Sequence, residues 1–176
     1  GNVMKLLHQS HNALRRHSGN ERGTTLVETA ALMLPFLILF LAVMEFGWYF
    51  LHQHTLQFAT REGMRLALVG STLFDENNDP LSREESIKKT IEEQAQWAMD
   101  IEQDKIWIFQ GGSKYEDPDG WETAVANAGN PADYMRVRVQ YEHEFFTPLI
   151  GGLFSDDHAV TMEAEGTYRN ELFEVL

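Results

Sequence analysis

Two glutamates lie at the ends of a long apolar run, and their positions raise the first question about chemistry. Glu28 precedes sixteen uncharged residues, from Thr29 to Met44, and Glu45 follows them. A carboxylate at the edge of hydrocarbon either reaches out to water or pairs with a positive charge supplied by a partner. For Glu45 the alternatives are a bond to a partner helix and a position that simply marks the outer interface.

The histidines and the acidic turns offer weaker candidates. His52 and His54 are two residues apart, which on a helix directs them to opposite faces and away from a shared metal ion. The segments DENND and DPDG contain oxygen ligands but lack the twelve-residue calcium loop, and they are typical of turns. The sequence has no recognisable Ser-His-Asp set and no glycine-rich phosphate loop. It therefore predicts no catalytic residue, no cofactor and no metal site.

Charge is distributed unevenly along the 176 residues. The first 23 hold four basic side chains and one acidic one, which leaves ten basic and 26 acidic side chains for the other 153. An acidic body repels phosphate backbones, so the sequence predicts no nucleic-acid partner. The chain has no cysteine, which excludes disulfides and thiol chemistry. The compartment must therefore be inferred from the apolar run.

The apolar run predicts a transmembrane helix. It is uncharged from Thr29 to Met44 and continues with one acid to Leu51. At about 1.5 Å per residue these lengths give roughly 24 to 35 Å, against a hydrocarbon core of about 30 Å. A buried core helix is one alternative, but a body of this size could hardly cover ALMLPFLILFLAVM on every side. A cleaved secretory signal is another, but no small-residue cleavage site follows Met44.

The direction of the span follows from the charges on its two sides. The basic arm precedes the span and the acidic body follows it, which predicts a cytoplasmic N-terminus and an exported body. The four aromatic residues of the segment FGWYF, at 46–50, then lie at the outer interface, where amphipathic rings are enriched.

The body is predicted to be of the α+β class. The first helix continues from about Leu26 to Val69, where Gly70 ends it, and its inner face is predicted from helical spacing: Trp48, Leu51, Thr55, Phe58, Ala59, Leu66 and Val69. A capping box at Ser82 and Glu85 starts a second helix that runs to about Asp100. Alternating residues then predict an antiparallel sheet with strands at 105–109, 135–145 and 159–168.

Several segments, taken in order, resemble the TadE-like family, the minor pilins or pseudopilins of Tad (Flp) tight-adherence pili. They are GTTLVE, LPFLILFLAVMEFGWYF and ATREGMRLA in the first helix, and RVRVQYEHEFFTPLIGGLF with the alternating strand after it. The resemblance covers about residues 23–67 and 137–168. It implies a structural protein rather than an enzyme.

The resemblance also implies a processing site. Members of the family are made as prepilins, and a membrane aspartyl peptidase cuts them after a glycine that precedes four residues and a glutamate. Gly23 and Glu28 have this spacing, so the mature chain is expected to begin at Thr24. The family commonly has an aromatic residue after the glutamate, where this chain has Thr29.

Cleavage would give Glu28 a partner. The new ammonium of Thr24 and the carboxylate of Glu28 both lie at the inner edge of hydrocarbon, where an unpaired charge is costly. Between subunits, Glu28 of one chain can meet the ammonium of its neighbour and fix the axial register. We therefore expect Glu28 to act in assembly, and we expect the same of Glu45, which lies in the recurring EFG element of the family.

The predicted organisation is a basic cytoplasmic leader at 1–23, a transmembrane helix at 24–51 and an extracytoplasmic α+β domain at 52–176. The expected location is the bacterial cytoplasmic membrane. The expected partners are this membrane, the prepilin peptidase, and other Tad/Flp pilins and pilus assembly proteins. The alternative is an uncleaved, single-pass anchored module that binds or senses a ligand outside the cytoplasm. A hydrolase on a membrane stalk lacks the residues that it would need.

Overall fold

A computed structural model of the chain describes residues 2–112 and 116–172, with side chains from residue 23 onward. The side chains of the predicted leader before residue 23 lie outside the described residues. The chain divides into two compact units, Gly1–Met44 and Glu45–Leu176. The predicted limits of the leader, the membrane helix and the domain stay predictions.

Helix α1 (Asn2–Leu68) contains the whole apolar run. Its leucine, alanine and methionine residues are good helix formers, and Pro35 lies inside the helix without ending it. Side chains from residue 23 to residue 41 are exposed, so the apolar residues of this stretch form no core of their own. The helix ends just before Gly70, whose φ of 70° places it in the left-handed region that favours glycine.

The buried face of α1 in the second unit differs from the predicted one. Thr55 and Ala59 are buried as expected, but Phe58 and Val69 are exposed. The observed stripe consists of small and polar residues together with one leucine: His52, Thr55, Leu56, Ala59, Thr60, Gly63 and Ala67. A close approach of the next helix explains it, because a Cβ on Gly63 would lie 2.5 Å from Cγ1 of Ile91.

Helix α2 (Arg83–Ala95) begins at the predicted capping box. The Ser82 hydroxyl accepts a hydrogen bond from the Glu85 amide at 3.2 Å, and the Glu85 carboxylate accepts one from the Ser82 amide at 3.0 Å. Ile87 and Ile91 are buried against the core. The helix ends at Ala95 rather than near Asp100, because the chain turns there and the amides of residues 98 and 99 both donate to the Ala95 carbonyl.

Three strands form an antiparallel sheet in chain order. They are β1 (Ile106–Gln110), β2 (Tyr134–Glu144) and β3 (Ala159–Arg169). Each limit agrees with the sequence prediction to within one residue. In the register of the sheet, Val137 of β2 lies opposite Ile108 of β1 and Gly166 of β3.

The core of the second unit lies between one face of the sheet and the two helices. Alternate residues of β2 supply its centre, and Met135, Val137 and Val139 are fully buried. A Cβ on Gly166 of β3 would overlap the thioether of Met64 on α1, so a larger residue there would have to displace that side chain. A long apolar N-terminal helix, a second helix and a three-stranded antiparallel sheet confirm the predicted α+β class.

Candidate functional site

The Gly23–Thr24 peptide bond lies inside helix α1. Glycine in a helix interior is about 1 kcal/mol less favourable than alanine, so the helix is locally weakened at this bond. A Cβ on Gly23 would meet no atom within 4 Å in the described part of the chain. The fold of the described residues therefore does not require a glycine at this position.

Glu28 lies one helical turn beyond Thr24, and its side chain is exposed. The adjacent Thr29 hydroxyl donates a 2.8 Å hydrogen bond to the Thr25 carbonyl within the helix. The hydroxyl is thereby satisfied inside an apolar run, where an unpaired polar group would be costly. One helical turn also leaves Glu28 and the nitrogen of Thr24 on the same face of α1.

Glu45 is buried in the second unit, where its side chain is only 3% exposed. Its Oε1 atom accepts a hydrogen bond from the Thr147 amide at 3.3 Å. Thr147 lies in the connection between β2 and β3, so the carboxylate links that connection to α1 within one chain. The assembly role expected of Glu45 stays a prediction, and the observed bond gives the residue an additional, internal contact.

A buried histidine pair lies deeper in the same unit. His52 of α1 and His143 of β2 approach through their Nδ1 atoms at 2.9 Å, and both are buried. The ring of Tyr49 lies nearly perpendicular to that of His143, and the ring of Tyr141 to that of His52, at centroid distances of 5.5 and 5.4 Å. Burial lowers the pKa of the His143 imidazole, the neighbouring His52 lowers it further, and Glu45 acts in the opposite direction. The pair is therefore favoured in its neutral form.

His54 is exposed while His52 is buried, which confirms that the two side chains point in different directions. Among residues 23–112 and 116–172, no group of three His, Cys, Asp or Glu side chains is placed to hold a metal ion. The structure brings His52 to His143 and Glu45 to Thr147, while Gly23, Thr24 and Glu28 lie in the other unit.

Sequence reasoning did not single out His143, although a signal for it was present. The alternation that places Val137, Val139 and Tyr141 on the inner face of β2 places residue 143 there as well. An inward-facing histidine requires a polar partner in the core. The polar residues on the buried stripe of α1 are the candidates, and His52 is one of them.

Arg138 is a second residue that the sequence pattern placed differently. The alternation predicts it on the solvent side of β2, yet it is 9% exposed. Its guanidinium stacks on the Trp121 ring at 4.3 Å and pairs with the carboxylates of Asp117, Glu163 and Glu165. Trp121 and Asp117 come from the long segment between β1 and β2, which covers this part of the sheet. The arrangement satisfies a charged side chain and supplies no reactive group.

Residues Gly23–Leu68 form a helix that is long and apolar enough to cross a membrane, and none of its most apolar window is buried. One apolar N-terminal helix of this kind suggests a single-pass membrane anchor.

Residues 23–65 match the model of a protein family described as TadE-like protein. The match begins at Gly23 and ends in the ATREGMR segment of α1, and it confirms the resemblance seen in the sequence of the first helix. Neither a curated protein nor a solved structure gives a significant match to the chain.

Proposed function

We propose that this chain, whose residues 23–65 are TadE-like, is a minor pilin or pseudopilin of Tad (Flp) pilus assembly. The family suggests a structural, pilus-associated role. The observation that carries the proposal is the position of Gly23. It is the first matched residue, it precedes Glu28 by the prepilin spacing, and the exposed apolar part of α1 follows it.

Residues 1–23 are proposed to be a leader that a prepilin peptidase removes between Gly23 and Thr24. The bond lies within α1, and a peptidase must unwind the helix there to reach the backbone. The low helix propensity of glycine and its lack of a Cβ both lower the cost of that step. The fold of the described residues has no need for glycine at this position, which favours an external reason such as the peptidase.

After cleavage, residues 24–51 serve as the membrane helix and residues 52–176 as an extracytoplasmic domain. The N-terminal end faces the cytoplasm, since the short arm before the span holds four basic side chains and one acidic one, while the body after it is acidic. The membrane concerned is the bacterial cytoplasmic membrane. The proposed partners are the peptidase and the other pilins and assembly proteins of the same system.

Glu28 is proposed to hold neighbouring subunits in register. A charge at the centre of a bilayer costs about 2.5 to 3.5 kcal/mol on insertion scales, and the cost falls toward the edge. Pairing the carboxylate of one subunit with the Thr24 ammonium of the next removes much of the cost for both groups. The exposure of Glu28 on α1 supports this assignment, because an exposed carboxylate is accessible to a second chain.

Glu45 is proposed to contribute to assembly indirectly, by holding another part of the same chain in place. Its carboxylate is buried and bonded to the Thr147 amide, so a neighbouring helix would have to compete with that bond. Holding the β2–β3 connection against α1 fixes the surface that the domain presents just beyond Met44.

N-terminal sequencing of the protein isolated from its own membrane tests the proposal. A processed prepilin yields a chain that begins Thr24-Thr25-Leu26. The rival function, an uncleaved anchored module that binds or senses a ligand, yields the intact N-terminus. An intact N-terminus in cells with an active prepilin peptidase would overturn the pilin assignment.

A further inference from the structure

The connection between β2 and β3, residues 145–158, presents an apolar surface to the outside. Phe146, Leu149 and Leu153 are 69%, 62% and 79% exposed. The connection contains the short helix α3 (Pro148–Gly151), whose Ile150 is buried and holds the segment on the domain. Three large apolar side chains so close in sequence are an exposed patch that calls for a partner.

Helix α3 and the turn after it satisfy six consecutive amides of the connection. The amides of residues 150–155 all donate to carbonyls within the segment, at 2.9 to 3.1 Å. The Ser155 hydroxyl exchanges hydrogen bonds with the carbonyl and the amide of Ala159. These six amides can leave water without losing a hydrogen bond, which is the requirement that lipid imposes on a chain.

The connection packs on the first residues of the domain. Phe154 lies edge-on to Phe46 at a centroid distance of 6.0 Å, and Phe146 lies 5.9 Å from Trp48. Phe46 and Trp48 follow Met44, the last residue of the uncharged run, by two and four positions. Any bilayer that this run crosses must end close to them, so the connection is held beside the point where the chain leaves the lipid.

The charges in this region are arranged for an uncharged partner. No ionisable side chain occurs from Phe145 to Ser155, and Asp156 and Asp157 follow directly. A surface that bound anionic lipid would carry lysine or arginine at its rim, and this one carries two acids. The partner must therefore be recognised by its apolar character.

We propose that the β2–β3 connection is a second lipid contact, in which Phe146, Leu149 and Leu153 enter the interfacial layer of the bilayer that α1 spans. The domain is then held on the bilayer by the span and by this patch together, and it cannot tilt freely away from the membrane on the side of the connection. The proposal rests on the membrane anchoring described above, and it adds a lipid-facing surface outside the span.

Depth-dependent fluorescence quenching tests the proposal on the full-length chain. The protein has no cysteine, so Leu149→Cys and Leu153→Cys each give a single site for an environment-sensitive dye. The labelled chains are inserted into phosphatidylcholine vesicles that contain lipids spin-labelled at a shallow or a deep position. Val125→Cys, at a residue that is 89% exposed outside the connection, is the matched control, and Leu39→Cys reports on the span.

We expect the dyes at 149 and 153 to shift their emission to the blue and to lose most fluorescence to the shallow spin label. The dye at 125 should lose little, and the dye at 39 should be quenched by the deep label. If the dye at 39 is quenched while the dyes at 149 and 153 behave like the dye at 125, the proposed lipid contact is wrong. The proposal that α1 anchors the chain in the membrane is then still supported. If 39 is not quenched, the anchoring itself is wrong.

A second copy of the chain is the rival occupant of this surface. In that case the dyes at 149 and 153 are shielded from aqueous iodide only at high ratios of protein to lipid, without quenching by the spin-labelled lipids. That result would overturn the lipid assignment.

Discussion

The Nδ1 atoms of His52 and His143 lie 2.9 Å apart, which joins α1 to β2 inside the core of the domain. In this bond one nitrogen donates its proton and the other accepts. Two protonated imidazoles would both present N–H groups and would repel each other, so the pair can hold one proton between the two facing nitrogens and no more.

The histidine pair makes the stability of the domain dependent on pH. Burial and His52 lower the pKa of His143 below its ordinary value of 6.5, against an opposing effect of Glu45. Below pH 6.5 the unfolded chain therefore binds more protons than the folded one. The stability that depends on neutral His143 is complete above about pH 6.5 and is lost as the pH falls through the folded-state pKa.

We expect the midpoint of chemical unfolding in detergent to fall between about pH 7.5 and pH 5, and His143→Gln to reduce this fall. His54→Gln, which changes an exposed histidine on the same helix, is the control and should behave like the parent. An equal pH dependence in His143→Gln and the parent would mean that other groups cause the loss.

Gly23→Ala should block processing. The change raises helix propensity by about 1 kcal/mol and adds a Cβ where the peptidase must approach the backbone. Gly47→Ala is a close match, because it makes the same change in the same helix and its Cβ also meets no atom within 4 Å. On a blot of membranes, the first variant should keep the full length and the second should be shortened like the parent. Shortening of both variants contradicts the assigned site.

Glu28→Gln should leave insertion and cleavage intact and weaken association. A neutral amide at the membrane edge costs less than a charge, but it leaves the Thr24 ammonium of the neighbour unpaired. A loss of ~1.4 kcal/mol per contact is a tenfold loss of affinity at each step. Cross-linking to the major pilin and pilus-dependent adherence measure the effect. Glu76→Gln removes an exposed acid of the domain as a control, and equal cross-linking in both variants would assign Glu28 to the edge of the membrane alone.

The orientation of the chain can be tested with reporters. The four basic residues of the arm precede the span, so alkaline phosphatase fused to the C-terminus should be active. A reporter that works only in the cytoplasm should be silent at the same place. The opposite result would exclude an exported domain, and with it the pilin function.

Glu45→Ala should loosen the β2–β3 connection. It removes the acceptor of the Thr147 amide, and an unsatisfied polar group costs about 1 to 3 kcal/mol when it is buried. Glu45→Gln keeps an acceptor oxygen in the same place and should have a much smaller effect. Hydrogen exchange read by mass spectrometry should show faster exchange of residues 145–151 in the first variant. Unchanged exchange there would mean that the bond does not hold the connection.

Local rules predicted the elements of the fold because their causes are local. The capping box at Ser82 and Glu85 and the alternation in β2 each depend on residues within a few positions of one another. The buried face of α1 was predicted less well. It is decided by α2, which approaches so closely at Gly63 that small residues face inward and Phe58 remains outside.

The residues of the candidate site also fall into those that local sequence identifies and those that only the folded domain identifies. Gly23 and Glu28 could be selected from the sequence because a fixed spacing along one chain defines them. The partners of Glu45 and His52 lie about a hundred residues further on, in a connection and a strand that only the folded domain brings to α1. Arg138 was predicted outside because alternation cannot foresee a loop that covers the second face of a sheet.

The contact between Gly166 and Met64 can form only late in the synthesis of the chain. Met64 belongs to the first element of the chain to be synthesised and Gly166 to the last strand, about a hundred residues later. At ordinary rates of synthesis this interval lasts roughly 5 to 20 s. During it the inner face of α1 has no sheet to cover it. In a newly synthesised subunit the inner face of α1 is therefore exposed for a time that the rate of translation sets. Factors that shield apolar surface would have to act during this time.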